Sequence, residues 1–396
     1  MAEPYLVSFK PLSNYYFGSS TSFSEGFNAE SRIFPTQLTL LGCIRRTILK
    51  KNNLLDDNLK YPKKSPNKEG KTYEEFTGKS TKLNLNDYEP DLGLIRKISP
   101  VFIIQWGSSL VPCFNDFLFP VPGNVYIHSK KSPGDKEIRT FYVTKISNEN
   151  NNALSFVNNT KKNSVFLSNV NPKDSPAGYL GGRLFWESYL SGETPVYYAN
   201  YLKNKIIINS SQMGIAREDR KTKDNAFYRK HDFKLEKKYS FGIIIHLEND
   251  ILKNDDVILG GERSKFRMTV IKLKDSNSIV INNHPIIKRF LEINDFGDLY
   301  SDNDNNSEKL IKTVLISSFI SDSKPKGIIH SIINDREIIR FMKSAGSKTD
   351  AFNFIPEGSV LYFNKTVSFN KESYKLAKIV GYNFALTINT KGDKNE

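Results

Sequence analysis

The opening residues of the chain alternate apolar and polar side chains, which is the pattern of a strand with one buried face. Residues 5–10 follow this alternation, and its period of two predicts a β-strand. Residues 14–31 are polar and rich in Gly and Ser, so we expect a loop there. A helix is predicted after Pro35 by apolar residues at helical spacing: Leu38, Leu41, Ile44 and Ile48.

The remaining sequence mixes short strand patterns with isolated helix patterns. Residues typical of strands, separated by Pro, Gly and Asn as in hairpins, occur at residues 99–104, 124–128 and 140–146. Further strands are expected at residues 205–209, 239–247, 266–273, 312–320 and 359–363. Helices are expected at residues 181–189, where Gly192 follows as a stop signal, and at residues 286–293 and 335–342. This mixture predicts an α+β fold and is compatible with two packed ferredoxin-like (RRM-like) domains with loop insertions.

The length of the chain favours two domains. At 396 residues it exceeds the size at which one hydrophobic core usually keeps growing. We place an N-terminal domain at residues 1–205 and a C-terminal domain at residues 206–396. Residues 50–91 are rich in Lys, Asn, Asp and Pro. We interpret them as an exposed, mobile basic insertion that adds charge more than core.

The charge of the chain indicates a polyanionic partner. The formal net charge is +14, which attracts nucleic acid or an anionic membrane. A membrane protein or a secreted protein is not indicated, because the sequence has no run of about 18 apolar residues and no long apolar region at its start. We therefore expect a cytoplasmic protein. Cys43 and Cys113 are too few for a disulfide framework or a thiolate zinc site and are expected to be small buried hydrophobes.

Two adjacent arginines lie on the helix predicted after Pro35. Arg45 and Arg46 follow Gly42, and the Leu and Ile side chains of that helix face inward, so at least one guanidinium group should be exposed. A guanidinium group matches phosphate oxygens and also stacks on an unpaired base. A solvated helix face with a local ion pair would explain the same residues.

Basic and aromatic residues are interleaved in residues 211–238. Cations neutralise backbone phosphates while Tyr or Met packs against splayed bases, so this pattern suits single-stranded RNA. An exposed polar connection between strands is the alternative. The residues that carry the pattern are Met213, Arg217, Arg220, Lys221, Lys223, Tyr228, Arg229 and Lys230.

A pair of glycines lies between two strand patterns at residues 259–265. Gly260 and Gly261 permit close approaches that side chains would block, and Arg263 and Lys265 add charge beside them. Such a loop could expose backbone amide donors to a phosphate. A simple turn has the same signature, and the spacing is neither a dinucleotide fingerprint nor a P-loop.

Four stretches in this order resemble the Cmr-type, 5′-tag-binding subunit of type III-B CRISPR effector complexes, in the repeat-associated mysterious protein superfamily. They are the opening strand with PTQLTLLGCIRR at residues 35–46, GIAR at 214–217 running on to Tyr228 and Arg229, LGGER at 259–263 and PEGSVLYF at 356–363. The insertion at residues 50–91 does not match, and GYNFA at residues 381–385 is a reduced form of a further glycine-rich stretch of that family.

The resemblance implies two ferredoxin-like folds, no reaction of its own, and no cofactor. It implies binding of the 5′ tag of the crRNA and docking to the large polymerase/cyclase-like subunit and the first backbone subunit. With the three segments above, it leads us to predict RNA contacts at Arg32, Gln37, Arg45, Arg46, Met213, Arg217, Arg220, Lys221, Lys223, Tyr228, Gly260, Gly261, Arg263 and Lys265.

Two other functions remain open. Some members of the superfamily cut guide-RNA precursors by metal-independent acid–base chemistry, and His231 is the one tempting base for that reaction, although no second catalytic group is apparent in the sequence. A generic adaptor would use its positive charge for solubility and bind RNA without preference. No paired His at helical spacing and no carboxylate cluster indicates a metal site.

Overall fold

The computed structural model describes residues 2–18, 28–56, 62–80, 89–107, 114–131, 137–143, 146–147, 166–167, 178–192, 201–218, 221–260, 263–273, 281, 283–292, 311–321, 328–332, 337–339, 352–363 and 375–389. Six helices of four or more residues occur in this part of the chain. They are α1 (Gln37–Lys51), α2 (Tyr73–Thr77), α3 (Arg183–Ser191), α4 (Lys203–Ile206), α5 (Pro285–Glu292) and α6 (Lys375–Ile379). None of them is long and apolar enough to span a membrane.

Short strands make up most of the remaining described structure. The first eleven are β1 (Glu3–Pro11), β2 (Asn28–Glu30), β3 (Ile95–Ile98), β4 (Phe102–Trp106), β5 (Phe114–Pro120), β6 (Val125–Lys131), β7 (Glu137–Val143), β8 (Ile146–Ser147), β9 (Phe166–Leu167), β10 (Tyr179–Gly181) and β11 (Tyr201–Leu202). The others are β12 (Ile207–Glu218), β13 (Lys221–Leu235), β14 (Tyr239–Leu247), β15 (Asp255–Ile258), β16 (Lys265–Lys272), β17 (Ile311–Leu315), β18 (Phe319–Ser321), β19 (Ile328–Ile332), β20 (Glu337–Ile339), β21 (Phe352–Ile355), β22 (Val360–Phe363) and β23 (Ala385–Asn389).

A nine-stranded sheet forms the centre of the molecule. Its order is β11-β10-β5-β4-β14-β1-β16-β15, and β3 also pairs with β14. All of these pairs are antiparallel. The expected α+β class with antiparallel sheets is therefore confirmed. Because β14 lies between β1 and β4, a division of the chain after residue 205 would cut through one hydrogen-bonded sheet.

The two faces of this sheet support two hydrophobic cores. In β1, Val7 and Phe9 belong to the core that α1 covers, whereas Leu6 belongs to the core on the opposite face. This division follows from the alternation of side chains along a strand. The second core also contains residues of α3, α5, β17 and β22, so the C-terminal elements pack on that face.

A second, four-stranded sheet of order β19-β22-β17-β23 is joined to α3 by buried polar groups. Tyr189 donates its hydroxyl proton to Asn124 Oδ1 (2.8 Å), and Asn124 Nδ2 donates to the Tyr362 hydroxyl (3.2 Å). The Lys312 Nζ atom lies 4.4 Å from the centre of the Tyr189 ring, and burial lowers the pKa of Lys312 to about 8. The hydrogen bonds of Tyr189, Asn124 and Tyr362 fix one arrangement of the elements that carry them.

Most of the predicted elements are present, and three expectations need correction. The strand expected at residues 312–320 is two strands, β17 and β18, and the helix expected at residues 335–342 contains the strand β20. The insertion at residues 50–91 contributes to the first core, because Leu54, Leu55 and Phe76 are buried there. The segment from Gly381 is also part of the fold, since it leads into β23, the partner of β17.

Candidate nucleic-acid interface

The basic segment at residues 211–238 is a long antiparallel hairpin rather than an irregular connection. Strands β12 and β13 pair from Ile207 opposite Leu235 to Glu218 opposite Lys221. Ile207 and Leu235 are buried and anchor the base of the hairpin. A strand of twelve residues spans about 40 Å. The basic residues of this segment therefore lie on strands that continue far beyond this buried pair.

An exposed apolar side chain and an exposed cation face each other on this hairpin. Met213 is 78% exposed and lies opposite Arg229, which is also exposed. Paired residues of antiparallel strands lie on the same face. The side chains of residues 214–228 are outside the described part of the chain. Four predicted RNA contacts therefore lie outside it: Arg217, Lys221, Lys223 and Tyr228. Two more, Arg220 and Gly261, lie outside it with their backbone as well.

The segment at residues 14–17 lies against the outer edge of the hairpin. Tyr15 and Phe233 exchange two backbone hydrogen bonds, of 2.8 and 3.0 Å. The Lys230 Nζ atom lies 5.1 Å from the centre of the Tyr16 ring. Further out, β2 pairs in parallel with β13. Tyr15 also packs in the first core, so this segment holds the hairpin to the central sheet.

The glycine loop packs against the same segment. Gly260 has a φ of +84°, and a Cβ atom there would lie 2.6 Å from Cδ1 of Phe17 and 2.7 Å from the carbonyl oxygen of Tyr16. The backbone N–H of Tyr16 donates to Ser264 Oγ (3.1 Å). Gly260 is therefore required for close packing of the loop. Arg263, with a φ of +53°, is exposed beside it.

The basic hairpin and the glycine loop, two of the three segments predicted to bind RNA, thus meet at Tyr16. We call the residues that surround this junction the hairpin–loop surface: Tyr16, Met213, Arg229, Lys230 and Arg263. Within the described residues neither Arg229 nor Arg263 forms a salt bridge, and both are available to an anion. Strand alternation places Met213 and Arg229 on one face of the hairpin and Lys230 on the other, so the cations border both of its faces.

The residues predicted on and before α1 have different surroundings. Arg46 is exposed, as expected for at least one of the two arginines. Arg45 is half-buried, its Nη2 atom donates to the carbonyl oxygen of Ser80 (2.9 Å), and burial lowers its pKa to about 10. This guanidinium group holds the loop that follows α2. Arg32 is half-buried.

Gln37 has no surface with which to contact RNA. Its side chain is 3% exposed. With the amide oriented to satisfy both neighbours, the oxygen accepts from Val101 N (2.8 Å) and the nitrogen donates to Val380 O (3.3 Å). Gln37 therefore joins the start of α1 to the chain after α6, and the prediction of an RNA contact there does not fit the structure.

Sequence reasoning missed the segment at residues 14–17, which it assigned to a loop. Its signal is the run Tyr15, Tyr16 and Phe17 within otherwise polar sequence. Three consecutive aromatic rings are too apolar for a solvated loop, and all three contact neighbouring elements. In the described residues, no group of three or more His, Cys, Asp or Glu side chains could hold a metal ion.

Comparison with known proteins identifies the family. Residues 7–284 match the model of the family described as CRISPR-associated protein (Cas_Cmr3). The chain belongs to this family. The Cmr-type resemblance drawn from the sequence is therefore confirmed. No curated protein is significantly similar to the chain.

Solved structures of CRISPR complexes are similar to this family member at low sequence identity. A chain of the type III-B Cmr-beta complex bound to cognate target RNA has 15% identity and a TM-score of 0.47, with 97% of this chain and 96% of that chain covered. A chain of the same complex with target RNA and AMPPnP has the same identity and TM-score, with 98% and 99% covered. A chain of the type III-A Csm3-Csm4 subcomplex has 15% identity and a TM-score of 0.32, with 92% and 99% covered.

Proposed function

We propose that this chain is the non-catalytic subunit of a type III-B CRISPR effector complex that holds the 5′ tag of the crRNA. The observation that carries the proposal is the junction at Tyr16, which brings the basic hairpin and the glycine loop side by side. The proposal includes the two ferredoxin-like domains, the cytoplasmic location and the two protein partners that the resemblance implies, namely the large polymerase/cyclase-like subunit and the first backbone subunit.

The chemistry of the hairpin–loop surface suits an unpaired RNA strand. Arg229 and Arg263 present guanidinium groups with five donors each, which neutralise phosphates and fix the path of the strand. Met213 offers a flexible apolar side chain, 78% exposed, against which a splayed base can pack. An extended tag needs both kinds of contact, and the surface supplies both within one region.

Binding of a tag-length RNA to the Arg229→Ala/Arg263→Ala double variant tests the proposal. Fluorescence anisotropy should show weaker binding by the double variant. The slope of log affinity against log salt should become shallower by about 1.4, since each lost phosphate contact on a single strand removes about 0.7. Lys288→Ala/Arg289→Ala is the control that removes the same charge, because both residues are exposed cations on α5, which is not part of this surface.

Two results would remove the hairpin–loop surface from the RNA site. One is an unchanged affinity and salt slope for the double variant. The other is an equal loss for Lys288→Ala/Arg289→Ala, which would indicate a response to net charge alone and support the generic adaptor. A preference for the tag RNA over an RNA of the same length without the tag, retained as salt rises, separates a tag-binding subunit from that adaptor.

The absence of catalysis is part of the proposal and has its own test. His231 is half-buried on β13, opposite Ser211, and general acid–base cleavage needs a second group positioned near the same phosphate. Incubation of the purified chain with CRISPR repeat RNA should yield no specific product. Specific cleavage that disappears in His231→Ala would establish the endoribonuclease function instead.

A further inference from the structure

An exposed patch at the end of the central sheet has a composition different from that of the hairpin–loop surface. We call it the edge patch: Lys10, Leu12, Ile258, Lys265 and Arg267. Its residues lie on β1, β16 and β15 or directly after β1. Lys10 pairs with Arg267, Leu12 N donates to Lys265 O (3.0 Å), and Ile258 pairs with Lys265.

This register arranges the edge patch in two rows across the strands. One row is Leu12, Lys265 and Ile258, and the next is Lys10 and Arg267. Cross-strand partners lie on the same face of a sheet. Adjacent strands are about 4.8 Å apart, so Leu12 and Ile258 lie about 10 Å from each other with Lys265 between them.

The edge patch is the open end of a face that is covered elsewhere. Alternate residues of the same strands, such as Phe9 and Phe266, point to the other face and are fully buried in the core beneath α1. Further along β1, Leu6 lies on the same face as the edge patch and is buried by the second core. At the open end, by contrast, Leu12 is 47% and Ile258 39% exposed.

Charge and composition favour a protein over RNA as the occupant of this patch. Arg267 already donates two hydrogen bonds to Asp256 (3.1 and 3.4 Å), so its charge is largely neutralised within the chain. None of the five side chains is aromatic, so the patch has no ring on which a base could stack. Lys10 and Lys265 form no salt bridge within the described residues, so two cations remain available beside two exposed aliphatic side chains.

We infer that the edge patch docks another protein subunit, whose surface presents an apolar centre bordered by Asp or Glu side chains. An apolar centre with a charged rim is the usual anatomy of a protein interface. The strand β15 ends the sheet, so a partner can approach from the side as well as from the face. Arg263 precedes Lys265 by two residues, and the docked subunit would therefore adjoin the bound RNA. The inference rests on the proposed function in one respect: the docked subunit is assumed to belong to the same effector complex.

The Leu12→Asp/Ile258→Asp double variant tests this inference by reconstitution. The probe is the purified complex of the remaining Cmr-type subunits from the same organism, assembled on crRNA. Size-exclusion chromatography and interferometry should show association weakened about tenfold or more, as expected for central interface residues. Lys10→Glu should slow association and reduce its salt dependence. Leu184→Asp is the matched control, because Leu184 is 44% exposed on α3 and should associate normally.

The same variants distinguish the other possible occupants. The double variant should retain the fold, as judged by circular dichroism, and should retain the tag-RNA affinity of the isolated chain. Unchanged association with the complex would overturn the inference. A loss of RNA affinity with normal association would assign the patch to RNA instead. A wild-type dimer that the double variant abolishes would assign it to a second copy of this chain. None of these outcomes depends on the Arg229 and Arg263 measurements, so the two proposals can fail separately.

Discussion

Acid should destabilise this protein through two histidines that fold in the neutral form. His246 lies in β14, paired with Lys97 of β3, and its ring centre is 6.0 Å from that of Phe290 in α5. His284 directly precedes α5 and is fully buried beside Phe119, with ring centres 5.3 Å apart. Burial lowers the pKa of His246 to about 4 and that of His284 to about 3.

The size of the effect follows from proton uptake by the unfolded chain. An unfolded histidine has a pKa of about 6.5. Below that value the unfolded state binds a proton that the folded state excludes. The free energy of unfolding is therefore highest above pH 6.5, and it decreases as the pH falls from 6.5 towards the folded pKa. The slope is about 1.4 kcal/mol per pH unit for each histidine. Between pH 7 and pH 5 each should cost about 2 kcal/mol, and the two together about 4 kcal/mol.

Urea unfolding at pH 7, 6 and 5 measures this loss directly. His246→Gln and His284→Phe each remove one titrating group, and each variant should lose about half of the pH dependence even if its stability at pH 7 changes. The double variant should unfold with nearly the same free energy at all three values. The reasoning would be refuted by a wild-type stability that is constant from pH 7 to pH 5, or by variants that keep the full dependence.

Three further substitutions have expected effects on the free energy of unfolding. Gly42→Ala should stabilise the chain by about 1 kcal/mol, because Gly42 is exposed within α1 and nothing lies within 4 Å of its missing Cβ; a loss of stability in urea unfolding would contradict this. Gly260→Ala should cost about 2 kcal/mol and weaken RNA binding, since the new methyl group would overlap the segment at residues 16–17, whereas Gly178→Ala, at an open position, should do neither. Lys312→Met should stabilise the chain by about 1–3 kcal/mol at pH 7, because an apolar side chain avoids the desolvation of a buried cation. That gain should shrink as the pH rises from 8 to about 10.5, because the folded wild-type lysine loses its proton from about pH 8 whereas the unfolded one keeps it until about pH 10.5; a gain that is constant to pH 11 would show that desolvation is not its source.

Local patterns predicted single elements well where one face was buried. The stripe that begins at Leu38 gives α1, and the alternation from Tyr5 gives β1. The hairpin of β12 and β13 escaped prediction because much of it lies outside the core, so polar residues occupy both faces and no alternation marks the strands. The segment around Ile338 has apolar spacing that also fits a helix, and its pairing with β21 is a long-range contact that sequence spacing does not contain.

The sequence indicated which residue types the candidate site contains, but not how those residues are arranged in the fold. Arg45 and Arg46 are neighbours in sequence, yet successive residues of a helix point about 100° apart, and only the position of Ser80 decides that Arg45 turns inward. Gly260 was correctly singled out, but its space is filled by Phe17 rather than left open for a phosphate. Both outcomes depend on segments far away in the chain.

The place of β14 in the central sheet has a consequence for how the protein is made. Strands β1 and β4 emerge from the ribosome long before β14, which must later insert between them. Until then β1 lacks both of its partners, because β16 is also synthesised late. Strand β4 therefore lacks its partner β14 while more than a hundred further residues are translated, and the long-range pairing that completes the sheet is of the slow kind. A fragment that ends at residue 205 should be retained by chaperones or aggregate, rather than fold as an independent half.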